Sequence, residues 1–381
     1  MSGANVPYHL RQNKAVDRNL FIELLNRLNR YKSIEEYTYI SFGGSFLEDF
    51  KLVHAHTGIG KMISLEADKN VYERQKFNMP INCIEPLCKK SGEFISNHSF
   101  DGKNIVWLDY ASPSEMESQL GETEYLITQL YDFDIVKITL NANANTLADS
   151  RTMQEVDTKL RLQSTEIGLK KYKNELIGIV KKFENDQPID IANVQEKIEN
   201  EIPRTPSSNL NKIRLEKFQS RIGKYVPSGI VENDMRSDAY PHILCRTLKT
   251  AIQQGMKSKP RSYFQPLAAF SYADSEHTML TYTGIILSNE KDEIERFFLS
   301  TKLKNWDLFD SEGEKATNIN VPALSLKERL AIDSMLPNSD EKTIQAGLGF
   351  LFSEDEAISL NMLKNYIKFY KQYPIFLKMS V

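Results

Sequence analysis

The run SYFQPLAAFSYAD at 262–274 is followed, after only Ser275 and Glu276, by HTMLTYTGIIL at 277–287. Both runs are rich in β-branched and aromatic residues. A connection this short joins antiparallel neighbours, whereas parallel neighbours need a long crossover. The pair therefore reads as an antiparallel hairpin. Just upstream, YPHILCRTLKTAIQQGM at 240–256 reads as a helix apolar enough to return to a core. Further upstream five more strand candidates alternate with helical segments: YTYISFGG at 37–44, KMISLEAD at 61–68, INCIEPL at 81–87, KNIVWLDY at 103–110 and DIVKITLN at 134–141. Alternation of this kind predicts βαβ units and a parallel sheet. The fourth run is almost continuously apolar, as a strand covered on both faces should be. Ahead of the first strand, Leu20, Phe21, Leu24, Leu25 and Leu28 mark an amphipathic helix within 14–31.

Between the fifth strand and the 240–256 helix the pattern changes. Residues 151–220 are rich in Lys, Glu, Gln and Asn and carry no strand signal. Two helical stretches, LKKYKNELIGIVKKF and NLNKIRLEKFQSRI, flank a loop around Pro203 and Pro206. Residues 291–381 read as mostly helical, with Leu360, Met362, Leu363, Tyr366, Ile367 and Tyr370 at helical spacing. The expected division is a core of 1–145 plus 231–290, a helical insertion at 146–230, and a helical C-terminal extension at 291–381. Either helical part offers a surface for a homodimer.

Composition bounds the function. The chain has 381 residues, 41% of them hydrophobic and 26% charged, with a formal net charge of −3. That is a globular composition. A near-neutral balance gives no general electrostatic grip on nucleic acid or an anionic membrane. No apolar run approaches the ~20 residues that span a bilayer, and MSGANVPYHLRQNKAVDRNL lacks the apolar centre of a signal peptide. Cys83, Cys88 and Cys245 are too few for a disulfide framework and complete no zinc spacing. A cytoplasmic protein without a metal is expected.

The order of five alternating strands, a helix and a closing hairpin resembles the sheet of class I, Rossmann-like S-adenosylmethionine-dependent methyltransferases. The phrases SFGGSFLEDF (41–50), MISLEAD (62–68), RQKFN (74–78) and VWLDY (106–110) resemble a bacterial group of O-methyltransferases. The resemblance covers roughly 35–145 and 235–290. It implies a seven-stranded, mostly parallel doubly wound α/β sheet ending in an antiparallel hairpin, with S-adenosylmethionine as cofactor.

Several residues follow as candidates. Gly43 and Gly44 sit where a strand gives way to a helix, where glycine permits close approach and positive φ, and Ser45 follows them. The resemblance implies that this loop holds the methionine end of the cofactor, although the third glycine of the usual pattern is absent. Glu66 ends the second strand 23 residues after Gly43. An acid there can accept hydrogen bonds from both ribose hydroxyls. Asp68 competes, Ala67 lies between the two, and the same geometry suits a nicotinamide dinucleotide. The closing hairpin separates the two readings, because a dinucleotide-binding sheet continues in parallel. Glu85, at the end of the third strand, falls where the resemblance packs the adenine. Asp109 and Tyr110 close the fourth strand beside the switch point where open α/β sheets bind ligands.

Methyl transfer to oxygen calls for a general base. Asp109, His277 and His242 are candidates, Lys137 less so because it lies inside the fifth strand, and Tyr110 is a candidate pocket wall. The sequence LDYASP lacks the paired prolines of amine-methylating relatives. The expected function is therefore methyl transfer to an oxygen of a small molecule or protein side chain. A catalytically inactive protein that keeps the nucleoside site for regulation or interaction is the alternative.

Overall fold

The structure, a computed structural model, describes residues 11–185, 196, 209–274 and 277–374. Eight strands form one sheet: β1 (Thr38–Phe42), β2 (Lys61–Glu66), β3 (Ile84–Cys88), β4 (Asn104–Asp109), β5 (Ile135–Asn141), β6 (Ser262–Asp274), β7 (His277–Ser288) and β8 (Thr317–Ile319). Their order is β3-β2-β1-β4-β5-β7-β6-β8. The first five pair in parallel, and β7 runs antiparallel to both β5 and β6. The turn expected at Ser275 and Glu276 lies outside the described residues, but the register closes Asp274 onto His277. Pro266 has no N–H for a ladder, and the β6–β7 register shifts between Pro266 and Ala268. A bulge of this kind accommodates a proline inside a long strand.

The expected seven strands become eight. β8 (Thr317–Ile319), inside the stretch expected to be mostly helical, pairs in parallel with Phe270–Tyr272 of β6. Three residues are too few for a period-two pattern to register. Among the described residues the helices are α1 (Gln12–Leu28), α2 (Glu48–Thr57), α3 (Lys69–Phe77), α4 (Ser91–Asn97), α5 (Met116–Gln129), α6 (Ser150–Lys171), α7 (Lys173–Glu184), α8 (Leu210–Ile222), α9 (Tyr240–Met256), α10 (Lys291–Thr301), α11 (Leu326–Asp333), α12 (Glu341–Leu348) and α13 (Glu356–Phe369).

Strand alternation decides what each sheet face carries. Tyr39, Ile105, Trp107 and Ile135 point to the face covered by α1 and α2, where Phe21 meets Trp107 edge-on at 5.4 Å and Tyr39 meets Phe50 at 5.0 Å. The opposite face carries buried Ile40, Val106, Leu108, Val136 and Ile138, and α5 packs on α9 there. Leu363 and Tyr366 of α13 are buried, while Leu360, Met362, Ile367 and Tyr370 are partly so.

The chain divides into two compact units. One holds the sheet and comprises Met1–Asn143, Ile222–Gly229 and Tyr240–Val381 within the described residues. The other comprises Ala144–Arg221 and Ile230–Ala239. In the second unit, buried Arg214 on α8 donates to Ala148 O (2.9 Å), Met235 O (3.2 Å) and Asn145 Oδ1 (2.6 Å). The loop around Pro203 and Pro206 lies outside the described residues.

Candidate functional site

Strand register builds the site. Phe42 pairs with Leu65, so the next residues, Gly43 and Glu66, lie level. Ser41 pairs with Trp107, so Gly43 is also level with Asp109. Glu66, Gly43 and Asp109 thus form a row across the carboxyl ends of β2, β1 and β4. With neighbouring strands ~4.8 Å apart, the row spans about 10 Å of backbone. Open α/β sheets bind ligands outside this edge.

The loop after β1 is tightly specified. A Cβ on Gly43 would fall 2.1 Å from Ser64 Oγ and 2.3 Å from Gln75 Nε2, so only glycine fits. Gly44 (φ 54°) and Leu47 (φ 54°) are both left-handed, and the Leu47 side chain is fully buried. α3 pins the loop from the neighbouring βα unit: Gln75 Nε2 donates to Gly44 O at 2.9 Å and Asn78 Nδ2 to Ser45 O at 2.8 Å. Ser45 is buried, and beneath the loop Ser64 Oγ and Gln75 Oε1 are buried without a hydrogen-bond partner among the described residues. Leu47 offers α2 no side-chain cap, which leaves first-turn N–H groups of that helix without one.

Glu66 and Asp68 have different employment. Asp68 caps α3, accepting from the N–H groups of Asn70 (2.8 Å) and Val71 (3.0 Å). Glu66 Oε1 accepts from the Asp68 N–H at 3.0 Å, and its other oxygen has no partner among the described residues. Asp68 is thus engaged as a helix cap, whereas Glu66 keeps one carboxylate oxygen without such a bond. Ala67 is exposed between them.

Asp109 sits beneath the first turn of α1. Lys14 Nζ lies 3.4 Å from its Oδ2. Burial alone would raise the carboxyl, but the Lys14 ammonium, a Thr139 hydrogen bond and Arg18 together hold it below the ordinary carboxylate range. It is an ionised group. α1 makes two further ion pairs. Lys137 Nζ reaches Asp17 Oδ2 at 2.8 Å, and the other Asp17 oxygen accepts from Thr281 Oγ1 at 2.6 Å. Arg18 pairs with Asp49. Lys137 also lies over the Trp107 and Phe21 rings at 4.1 and 4.6 Å. Burial lowers its pKa against the pull of Asp17, and its contacts make it a buried anchor rather than an accessible base.

Three candidates stand away from the row. Tyr110 follows Asp109 and so points to the opposite sheet face. There its hydroxyl donates to Glu122 Oε2 at 2.6 Å, and burial, then Glu122, push its pKa far up. It does not share a pocket with the Asp109 side chain. Glu85 does not close the third strand: β3 starts at Ile84, and Glu85 pairs with Ile63, three residues short of Glu66. Pro86 lies inside β3 because β3 is an edge strand, where a missing N–H is tolerated. Glu85 therefore lies toward the amino edge, on the side where Lys61 starts β2. His277 is exposed at the start of β7, four residues before Thr281, which pairs with Thr139 at the level of Asp109. At ~3.4 Å per residue that is about 14 Å along the strand. His242 is occupied too, its Nδ1 accepting from the Ala316 N–H at 3.0 Å.

Lys14, Asp17 and Arg18 were not among the expected site residues. A signal for them exists. Stepping back from Leu28, Leu25 and Phe21 by threes and fours reaches Asp17 and Lys14, so charges continue an apolar stripe. Charges at core-facing positions point to buried partners. Among the described residues no group of three or more His, Cys, Asp or Glu side chains converges as a metal site would require. No helix there is long and apolar enough to cross a membrane.

A family model described as Putative O-methyltransferase matches residues 6–381. No curated protein matches the chain. Among solved structures it is similar to a chain of a fibrillarin/NOP5P complex (14% identity, TM-score 0.24, covering 33% of this chain and 60% of that one). It is also similar to an S-adenosylmethionine-dependent methyltransferase from Mesorhizobium loti (10%, TM-score 0.24, 30% and 49%). A third is an O-methyltransferase from Bacillus cereus in complex with SAH (10%, TM-score 0.31, 74% and 86%). The chain thus spans less than two thirds of the first two. At TM-scores below 0.5 these likenesses add nothing to the strand order described above.

Proposed function

The chain belongs to the family described as Putative O-methyltransferase, and from that premise we propose that it transfers a methyl group from S-adenosylmethionine to an oxygen of a small molecule or protein side chain. One observation carries the reading: Glu66, Gly43 and Asp109 stand level on three adjacent strands at the carboxyl edge of the sheet. The donor set suits such a cofactor. Glu66 has a carboxylate oxygen to accept ribose hydroxyls, and the glycine loop brings backbone close without a side chain. Asp109 offers an ionised carboxylate to the ammonium of the amino-acid end. Ser45 and Ala67 contribute backbone on either side of the row.

The cofactor, when bound, supplies a methyl group already activated on a sulfonium. The protein's part is to align the acceptor oxygen and to exclude water. A carboxylate held as ionised as Asp109 is a weak base, so its role in this reading is binding. Titration with S-adenosylhomocysteine tests the site. Losing a hydrogen-bond acceptor for a buried hydroxyl costs about 1–3 kcal/mol. Glu66→Ala should therefore weaken binding by about 5–150-fold. An unchanged dissociation constant in a folded variant would place the ribose elsewhere. Transfer of labelled methyl groups into protease-sensitive or small-molecule fractions of a lysate then identifies the acceptor class. Binding without any transfer would favour the non-catalytic alternative.

A further inference from the structure

Among the described residues, α1 makes three ion pairs with other elements of the sheet unit, and they are not equivalent. Lys137–Asp17 is 2.8 Å long, with side chains 1% and 0% exposed. Arg18–Asp49 is tight, with side chains 9% and 13% exposed. Lys14–Asp109 is the longest at 3.4 Å, and Asp109 is the most exposed of the six at 20%. Charge-assisted hydrogen bonds normally settle at about 2.7–2.9 Å. The loosest and most reachable pair is also the one in the Glu66–Gly43–Asp109 row.

A neutral pair of charges selects its ligand. An anion at Lys14 alone, or a cation at Asp109 alone, would weaken the attraction between the two charges without replacing it, which is unfavourable in a largely buried position. A zwitterion satisfies both: its ammonium goes to the carboxylate and its carboxylate to the ammonium. An α-amino acid carries those two groups on one carbon.

We infer that Lys14 is the ligand of the cofactor's α-carboxylate, and that the Lys14–Asp109 pair is a receptor for the zwitterionic amino-acid end. The inference rests on the cofactor reading above. α1 holds Lys14 there, because Asp17, one turn along, is locked to Lys137 and Thr281.

Calorimetric titration distinguishes the inference from its premise. The probes are S-adenosylhomocysteine, its decarboxylated analogue, and 5′-methylthioadenosine, which lacks the amino-acid end. Lys14→Met should weaken S-adenosylhomocysteine by about 10–100-fold, the range for a hydrogen bond to a charged group. Methylthioadenosine affinity should stay within about twofold, and Lys14→Arg should recover most of the loss. Equal weakening of both nucleosides, or no change in either, overturns the assignment. If Lys14→Met does not fold, the wild-type protein decides: the decarboxylated analogue should bind about 10–100-fold more weakly than S-adenosylhomocysteine, and equal affinity overturns the inference. A wild-type protein that binds none of the three removes the cofactor reading itself.

Discussion

Among single residues, buried carboxyls divide into those whose pKa this fold lowers and those whose pKa it raises. Asp109 is of the first kind, held ionised by Lys14, Thr139 and Arg18. Asp134, just ahead of β5, is of the second. It accepts from the N–H groups of Asn104 (2.7 Å) and Tyr131 (2.8 Å), yet burial outweighs those bonds and raises its pKa to about 6. A carboxyl raised on folding binds its proton more tightly in the native state. Its contribution therefore favours the native state most below about pH 4 and is lost as pH rises through about 6. The difference is on the order of 3 kcal/mol. Asp134→Asn cannot titrate, and its amide puts a donor against one of those N–H groups. Urea unfolding should show wild type gaining on the variant as pH falls from 6.5 to 4.5. A gap that stays constant over that interval would show that Asp134 keeps its ordinary pKa in the native protein.

The elements show which sequence signals could be read. β1 to β5 were legible because short apolar runs alternate with helical segments, and the β6–β7 hairpin was fixed by its short connection. β8 was not, since Thr317–Ile319 offers only three residues. α12 had readable ends that apolar spacing alone did not use: Asp340 caps it by accepting from Thr343 N at 2.8 Å, and Gly349 ends it at φ 75°. Within the site, Glu66 and the glycine loop were legible from strand ends. The separation of Asp109 from Tyr110 was hidden by reading them as one motif, although period-two alternation puts neighbours on opposite faces. Glu85 was misplaced because the third strand was taken to close at 84–86, where β3 in fact begins.

In the unit holding the insertion, Arg214 bonds three acceptors on two separate stretches, 145–148 and Met235. Arg214→Ala removes the donor from three acceptors and should destabilise that unit by about 2–4 kcal/mol. Arg214→Lys should recover little, because an ammonium lacks the planar fork. Trypsin cleavage within 144–221 should quicken by about tenfold or more, and an unchanged rate would contradict that role.

At the scale of the whole molecule, function follows from where the sheet changes direction. Chain order runs outward from β1 to β3 on one side and from β4 to β5 on the other. The carboxyl ends of β1 and β4 therefore flank the switch point, with α1 bringing Lys14 over it. Other indented or reactive-looking places lie elsewhere: the cleft of Gly92, Ser118 and Tyr125 between α4 and α5, and exposed His277 at the start of β7. Hydrogen–deuterium exchange with and without saturating S-adenosylhomocysteine compares these places in one experiment. Protection is predicted in peptides covering 43–47, 66–68 and 109–110 and in the first turn of α1, with the α4–α5 cleft and the segment around His277 unchanged. Protection confined to the cleft or to the His277 segment, with 43–47 and 66–68 unaffected, would contradict a cofactor site across the ends of β2, β1 and β4.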